Sequence, residues 1–175
     1  MKGKFNEKGL AILKGFEQCC LHPYLCAAGF PTIAWGSIWD LRGNRVTMDT
    51  ESVTQDEADF LLDRELRSTE RSVSRLVTIR PLSSNQFSAL VSWTYNLGSG
   101  NLQSSTMRVQ LNRGRMDAAA NELIRWNRAG GRILRGLVRR RRAERALFLT
   151  PDEPPSKSNL DIITEWLSET GHLPS

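Results

Sequence analysis

The sequence is poor in cysteine and histidine and has no long apolar run. It holds three cysteines in 175 residues, all between Cys19 and Cys26, so no pair of them can staple distant segments. That clustering excludes a disulfide framework and fits synthesis in a reducing cytoplasm. No window of eighteen apolar residues occurs, which leaves no candidate transmembrane helix, and the opening MKGKFNEKGL lacks the apolar core of a signal peptide. The expectation is a chain with no export signal and no stable membrane anchor. Internal repeats and long low-complexity tracts are absent too.

What is present is a core's worth of apolar residues and an excess of positive charge. A hydrophobic content of 39% suits one domain, divided at most into two lobes. The formal net charge is +5, from 24 Lys and Arg against 19 Asp and Glu, and much of the excess lies in RRRRAER, Arg139 to Arg145. Such a protein is drawn to polyanions, whether nucleic acid, anionic lipid or bacterial envelope polymers, and charge alone does not choose among them. The run itself reads as a solvated helix face.

Asn6 can cap a first helix over about 6–18, with Leu10, Ile12, Leu13 and Phe16 at spacings of three and four and Glu17 in the last turn. From Tyr24 to Thr50, Gly29, Pro31, Gly36 and Gly43 punctuate short runs, the pattern of a small antiparallel sheet of two or three strands, and the β lobe is expected over about 20–53. Thr54 and Glu57 make a capping box for a connecting helix over about 54–79, stopped by Pro81. Ser83 and Gln86 make another, for a buried helix ending near Asn96, before Gly98 and Gly100. Three further helices complete an all-helical second half over about 80–150, with Gly130 and Gly131 in the turn before the last. After it, 151–175 reads as a proline-rich linker and a short amphipathic helix carrying Leu160, Ile163, Trp166 and Leu167.

The stretch GFEQCCLHPYLCAAGFPTIAWG, Gly15 to Gly36, concentrates the chemistry. A zinc site of Cys19, Cys20, His22 and Cys26 would have the spacing C-C-x-H-x3-C, which fits no common template, so no metal is expected. Cys19 and Cys20 read as small apolar residues at a helix end. Glu17, Cys26 and Thr32 form E-x8-C-x5-T, and in their company the sequence resembles the phage-type lysozymes, glycoside hydrolase family 24. KGLAILKGFE is similar to that family's first helix, PTIAWG to its T-I-G-Y-G strand and VTQDEADFLLDREL to its hinge helix. The later blocks LSSNQFSALVSWTYNLGSGNLQSSTMRVQLNRG and RWNRAGGRILRGLVRRRRAERALFL extend the resemblance over about residues 5 to 150.

The resemblance implies a two-lobed α+β fold and an endolysin that cleaves the β-1,4 bond between N-acetylmuramic acid and N-acetylglucosamine in peptidoglycan, with no cofactor. Such cleavage needs a proton donor for the leaving oxygen and a group that positions or deprotonates water. Glu17 is the donor candidate: at a helix C-terminus, beside Phe16 and a lobe junction, the dipole and desolvation both favour a carboxyl that keeps its proton. The resemblance gives Cys26 and Thr32 the water. A thiol with an ordinary pKa of ~8.5 is a poorer base at neutral pH than an aspartate, so activity is expected to rise toward alkaline pH, unless Cys26 only packs there. A disulfide from Cys19 or Cys20 to Cys26 would block the site under oxidising conditions. Trp35 stands where the family has tyrosine and is a candidate for stacking on a sugar, or a buried aromatic; Ser37 stands at the histidine position, and Trp39 is as ambiguous as Trp35.

The implied setting is late phage infection: a monomer held in the host cytoplasm until holin-type lesions release it to the wall, with attraction to anionic envelope polymers. Two rivals are a catalytically inactive peptidoglycan-binding relative, conceivable because of Cys26, and an arginine-rich nucleic-acid module with Trp35, Trp39 and Trp93 as stacking platforms. The lysozyme-like blocks cover the arginine run, so no nucleic-acid partner is expected.

Overall fold

The computed structural model describes residues 4–26, 29–79 and 81–152. The linker and amphipathic helix expected beyond Pro151 lie, except for Pro151 and Asp152, outside the described residues.

Helix α1, Glu7–Phe16, starts where Asn6 accepts a hydrogen bond from the Gly9 backbone N–H at 3.0 Å and ends with Glu17 as its C-cap. A two-stranded antiparallel sheet follows, β1 (Cys20–Leu25) with β2 (Pro31–Ala34). The ladder pairs Cys20 with Ala34 and Tyr24 with Thr32, so β1 spends two more residues than β2 between these pairs. Pro23 lies in that bulged stretch, where a residue without an N–H does least harm to the ladder. Isolated bridges Ile33 to Ser37 and Trp39 to Arg45 extend this region.

The long helix α2 runs Gln55–Leu76, with the Thr54 and Glu57 capping box formed in both directions. It stops four residues short of the proline, with Val77 as its C-cap. Helix α3, Ser84–Leu97, has its Ser83 and Gln86 box, and the Asp152 carboxylate adds a second cap by accepting from the N–H groups of Ser84 and Asn85 at 2.6 and 2.8 Å. Helices α4 (Ser99–Ser104), α5 (Thr106–Asn112), α6 (Met116–Leu123) and α7 (Arg135–Leu149) complete the helical part. The second half is not wholly helical as expected: β3 (Arg128–Ala129) and β4 (Arg132–Ile133) pair as a hairpin. Gly130 and Gly131, with φ of 55° and 76°, form its two-residue turn, the left-handed pair that such hairpins need. The pattern also missed α4, which begins one residue after α3 because Gly98, at φ 88°, redirects the chain in a single step.

Two apolar clusters organise these elements. The larger packs Leu13 of α1, Leu66 and Val73 of α2, Leu90 and Trp93 of α3, Met107 of α5, Leu123 of α6 and Phe148 of α7. The smaller joins Ile33, Ala34, Val46 and Val53 to Ala58 and Leu61. Helix α2 thus gives its first turns to the small core and the rest to the large one, the arrangement of a connecting helix. Trp35 packs against both. Helices α1 and α3 cross closely at Gly9, where an added Cβ would sit 2.6 Å from the Ser88 Cβ.

Candidate active site

Glu17 leaves α1 as its C-cap, its N–H bonded to the Leu13 carbonyl at 3.0 Å, which turns the chain out of the helix and into β1. Its side chain is 21% exposed, and its Oε1 accepts from Arg140 Nη1 at 2.5 Å. This corrects the electrostatic surroundings expected for it: a guanidinium, and not only hydrocarbon and the helix terminus, meets the carboxylate.

Arg140 is held from three sides. Besides Glu17, its Nε donates to Glu144 Oε1 at 3.1 Å and its Nη2 to the Ser92 carbonyl at 3.3 Å. Ser92 Oγ donates to the same Glu144 oxygen at 2.9 Å, and Arg141 Nη1 lies 3.2 Å from Glu144 Oε2 while its Nη2 donates to Asn96 Oδ1 at 2.7 Å. The side chains of Arg140, Arg141 and Glu144 are 3%, 0% and 0% exposed. Half of the run RRRR is therefore interior, against the solvated face expected of it. Burial drives the Glu144 carboxyl upward, opposed by both guanidiniums and by Ser92. Burial pulls Arg141 down to about 10, so it still carries its charge at neutral pH.

A second polar knot ties the sheet region to the helices. Glu65 of α2 accepts from Ser37 Oγ at 2.5 Å and from the Tyr95 hydroxyl at 3.1 Å, and that hydroxyl lies within 3.2 Å of the Trp35 carbonyl. Burial, with the charges of Glu65 and Glu17 behind it, pushes the Tyr95 phenol far up, so it remains a neutral donor. Tyr95 on α3 therefore sits within electrostatic reach of Glu17, Glu65 and Arg140 together.

Cys26 and Thr32 share the first hairpin. The Cys26 N–H donates to the Phe30 carbonyl at 3.0 Å and its carbonyl accepts from Gly29 at 2.8 Å. Thr32 is buried in β2, and its hydroxyl donates to the Tyr24 carbonyl at 3.2 Å, which leaves the oxygen's lone pairs for an incoming donor. Trp35 donates from Nε1 to Asp59 Oδ1 at 2.8 Å, and Lys14, bonded to the same oxygen at 2.9 Å, lies 4.9 Å from the ring centroid. Trp39 is exposed beneath Arg45, also at 4.9 Å. His22 turns to Ser52 Oγ at 2.6 Å, and Cys19 Sγ to Gln55 Oε1 at 3.9 Å; burial pushes the Cys19 thiol up, against that hydrogen bond. None of the three cysteines is in a disulfide.

The chain that carries these residues is similar to a known set of proteins. The phage lysozyme family model aligns with residues 14–144. The chain belongs to the phage lysozyme family. The endolysin of Salmonella phage P22 is 35% identical over 147 residues, 84% of this chain and 99% of that protein. The endolysin of Bacillus phage B103 is 34% identical over 145 residues, 83% of this chain and 54% of that protein, so the chain spans about half the length of that longer relative. Among solved structures, an endolysin from Escherichia coli O157:H7 phage FAHEc1 superposes with a TM-score of 0.75 at 32% identity, covering 88% of this chain and 99% of that one. The two-lobed α+β lysozyme fold follows from the architecture and these likenesses together.

Within that family frame, sequence reasoning missed Arg140, Glu144, Ser92 and the pair Tyr95 and Glu65. A signal for the first two exists. Buried positions 140, 141, 144, 147 and 148 of α7 follow helical core spacing, and the charged residues occupy the first three of them.

Proposed function

We propose that the chain is a muramidase that hydrolyses the β-1,4 bond of bacterial peptidoglycan with Glu17 as the general acid. The observation that carries this reading is the half-buried Glu17 at the end of α1, clamped by Arg140, in a chain whose next hairpin supplies Cys26 and Thr32 at the family's spacing.

As Glu17 gives its proton to the leaving oxygen, negative charge grows on its carboxylate. A guanidinium already fixed at 2.5 Å stabilises that charge without reorganisation. Arg140 bridges Glu17 and Glu144, so while Glu17 carries its proton the cation stays compensated by Glu144. Thr32, its hydroxyl hydrogen committed to Tyr24, offers only an acceptor to water and so turns a water lone pair outward. Cys26 takes the water's proton or holds the water in line. Trp35, tied to Asp59 and covered by Lys14, keeps a stacking role only through whatever part of its ring a sugar can reach. The chain acts as a monomer with no cofactor. It waits in the host cytoplasm until membrane lesions admit it to the wall; among the described residues no helix is long and apolar enough to cross a membrane.

The test is turbidity loss of purified sacculi with wild type and Glu17→Gln. A drop on the order of 10³-fold with an unchanged thermal midpoint is expected; a variant keeping a tenth of the activity would refute the assignment. A pH-rate profile of Cys26→Asp beside Cys26→Ser separates the roles of the thiol. The aspartate variant should work at lower pH than wild type and the serine variant should be slower, whereas three identical profiles would remove Cys26 from the chemistry.

A further inference from the structure

The β3–β4 hairpin and the exposed side of α7 carry a charge pattern that the proposed reaction does not use. Between Glu122 and Glu144 the chain has no acidic residue, and Arg128, Arg132, Arg135, Arg139 and Arg142 within it are all exposed. Arg135, Arg139 and Arg142 stand at i, i+4 and i+7, which lines them along one side of α7. Arg128 and Arg132 lie on the paired strands of the hairpin, which the Leu134 N–H closes by donating to the Asn127 carbonyl at 3.0 Å directly before α7 begins. Among the described residues none of the five forms a salt bridge. Beside them Ile133 is 57% and Leu134 43% exposed.

Helix α2 shows what an ordinary arginine face looks like in this molecule. Arg67, Arg71 and Arg75 are exposed at similar spacing, but Asp63 and Glu70 alternate with them, and Arg67 is bonded to Asp63 at 2.7 Å. Among the described residues the α7 face has no such compensation. Clustered like charges repel one another until an anion meets them.

The apolar pair decides which anion. A nucleic acid would satisfy the guanidiniums through its phosphates and offer nothing to Ile133 and Leu134. A bilayer with anionic headgroups takes both, guanidiniums at the headgroups and aliphatic side chains at the acyl boundary. We propose that the β3–β4 hairpin and the exposed side of α7 form a peripheral docking face for an anionic lipid surface. It uses none of Glu17, Cys26, Thr32 or Arg140 and does not rest on the hydrolase reading. Each basic residue close to an anionic leaflet strengthens binding about fivefold, so five give an increase on the order of 10³-fold, enough for reversible attachment and short of anchoring.

The experiment is co-sedimentation of the full chain with vesicles of phosphatidylglycerol and phosphatidylcholine, and of phosphatidylcholine alone, at low and high salt. The anionic vesicles should bind it, and salt should release it. Together, Arg132→Gln, Arg135→Gln and Arg139→Gln should weaken binding about 100-fold, and the same three changed to Lys should largely retain it, which keeps the test open if the first set folds poorly. Ile133→Ser, at constant charge, should weaken binding about tenfold. Arg67→Gln, Arg71→Gln and Arg75→Gln remove the same charge from α2 and should shift binding by less than about threefold. Equal loss from the α2 set would reduce the effect to net charge. Indifference to Ile133→Ser, with equally tight binding of DNA, would make the face a polyanion site, and binding to phosphatidylcholine alone would also overturn the proposal.

Discussion

Helix α7 presents two arginine populations drawn from one run of sequence. Arg139 and Arg142 face solvent, while Arg140 and Arg141, between them, are buried against Glu144, Ser92, Asn96 and Glu17. The residue type is the same, and only a rotation of 100° per residue about one axis separates their fates. The interior pair has a fixed geometry, because a buried guanidinium without partners would cost several kcal/mol. Among the described residues the exterior pair has no salt-bridge partner to fix it, and both side chains are exposed to whatever approaches. The difference teaches that charge counted along a sequence merges two unlike quantities, one that shapes a site and one that advertises a surface.

That contrast can be broken, beginning at its most sensitive point. Glu144→Leu or Arg141→Leu alone strands buried charge and should cost about 3–5 kcal/mol in urea unfolding, whereas the two together should cost clearly less than their sum. Arg140→Lys keeps the charge but cannot reach Glu17, Glu144 and the Ser92 carbonyl at once. We expect it to lower kcat on sacculi about 10- to 100-fold while KM changes little, since the charge it stabilises develops only as the proton leaves.

A smaller effect comes from the far end of α7. Asp152→Asn should cost about 1 kcal/mol as a lost cap on α3. The Asp152 carboxyl is held below the usual carboxylate range: partial burial pushes it up, and the N–H groups of Asn85 and Ser84 outweigh that. Its contribution is therefore complete above the unfolded value of ~3.9 and is lost as pH falls through the lower folded value, so wild type and variant should converge in strong acid. Smallest of all, Arg139→Gln and Arg142→Gln should each move stability by no more than about 0.5 kcal/mol. A large loss from either would erase the distinction between the two sides.

Much of the fold could be read beforehand, for reasons local to the chain. Asn6, Thr54 with Glu57, and Ser83 with Gln86 are side-chain answers to backbone N–H groups within three residues, so the helix starts they mark were found. Stops were less legible. Helix α2 ends at Leu76, where Asn112 of α5 takes over, accepting from the Thr78 N–H and donating to the Leu76 carbonyl, an exchange no neighbouring residue announces. The short helix α4 escaped because glycines flank and enter it, and glycine reads as an interruption. At the site, Glu17, Cys26 and Thr32 were visible as a spacing, while Tyr95, Glu65 and Arg140 were not, because each matters through partners 30 to 123 residues away.

By itself the sequence determined where most helices begin, that a small antiparallel sheet follows the first helix, and the acid and thiol chemistry available there, since these follow from short spacings, while its longer blocks carried the resemblance to the phage lysozyme family. Only the tertiary structure decided which arginines are interior, that Glu17 is clamped by one of them, and that Tyr95 and Glu65 join the sheet region to the helices. Burial is a property of how helices pack, and packing α7 against α1 and α3 turns one charged stripe inward only because Glu17, Ser92 and Asn96 are already there to receive it.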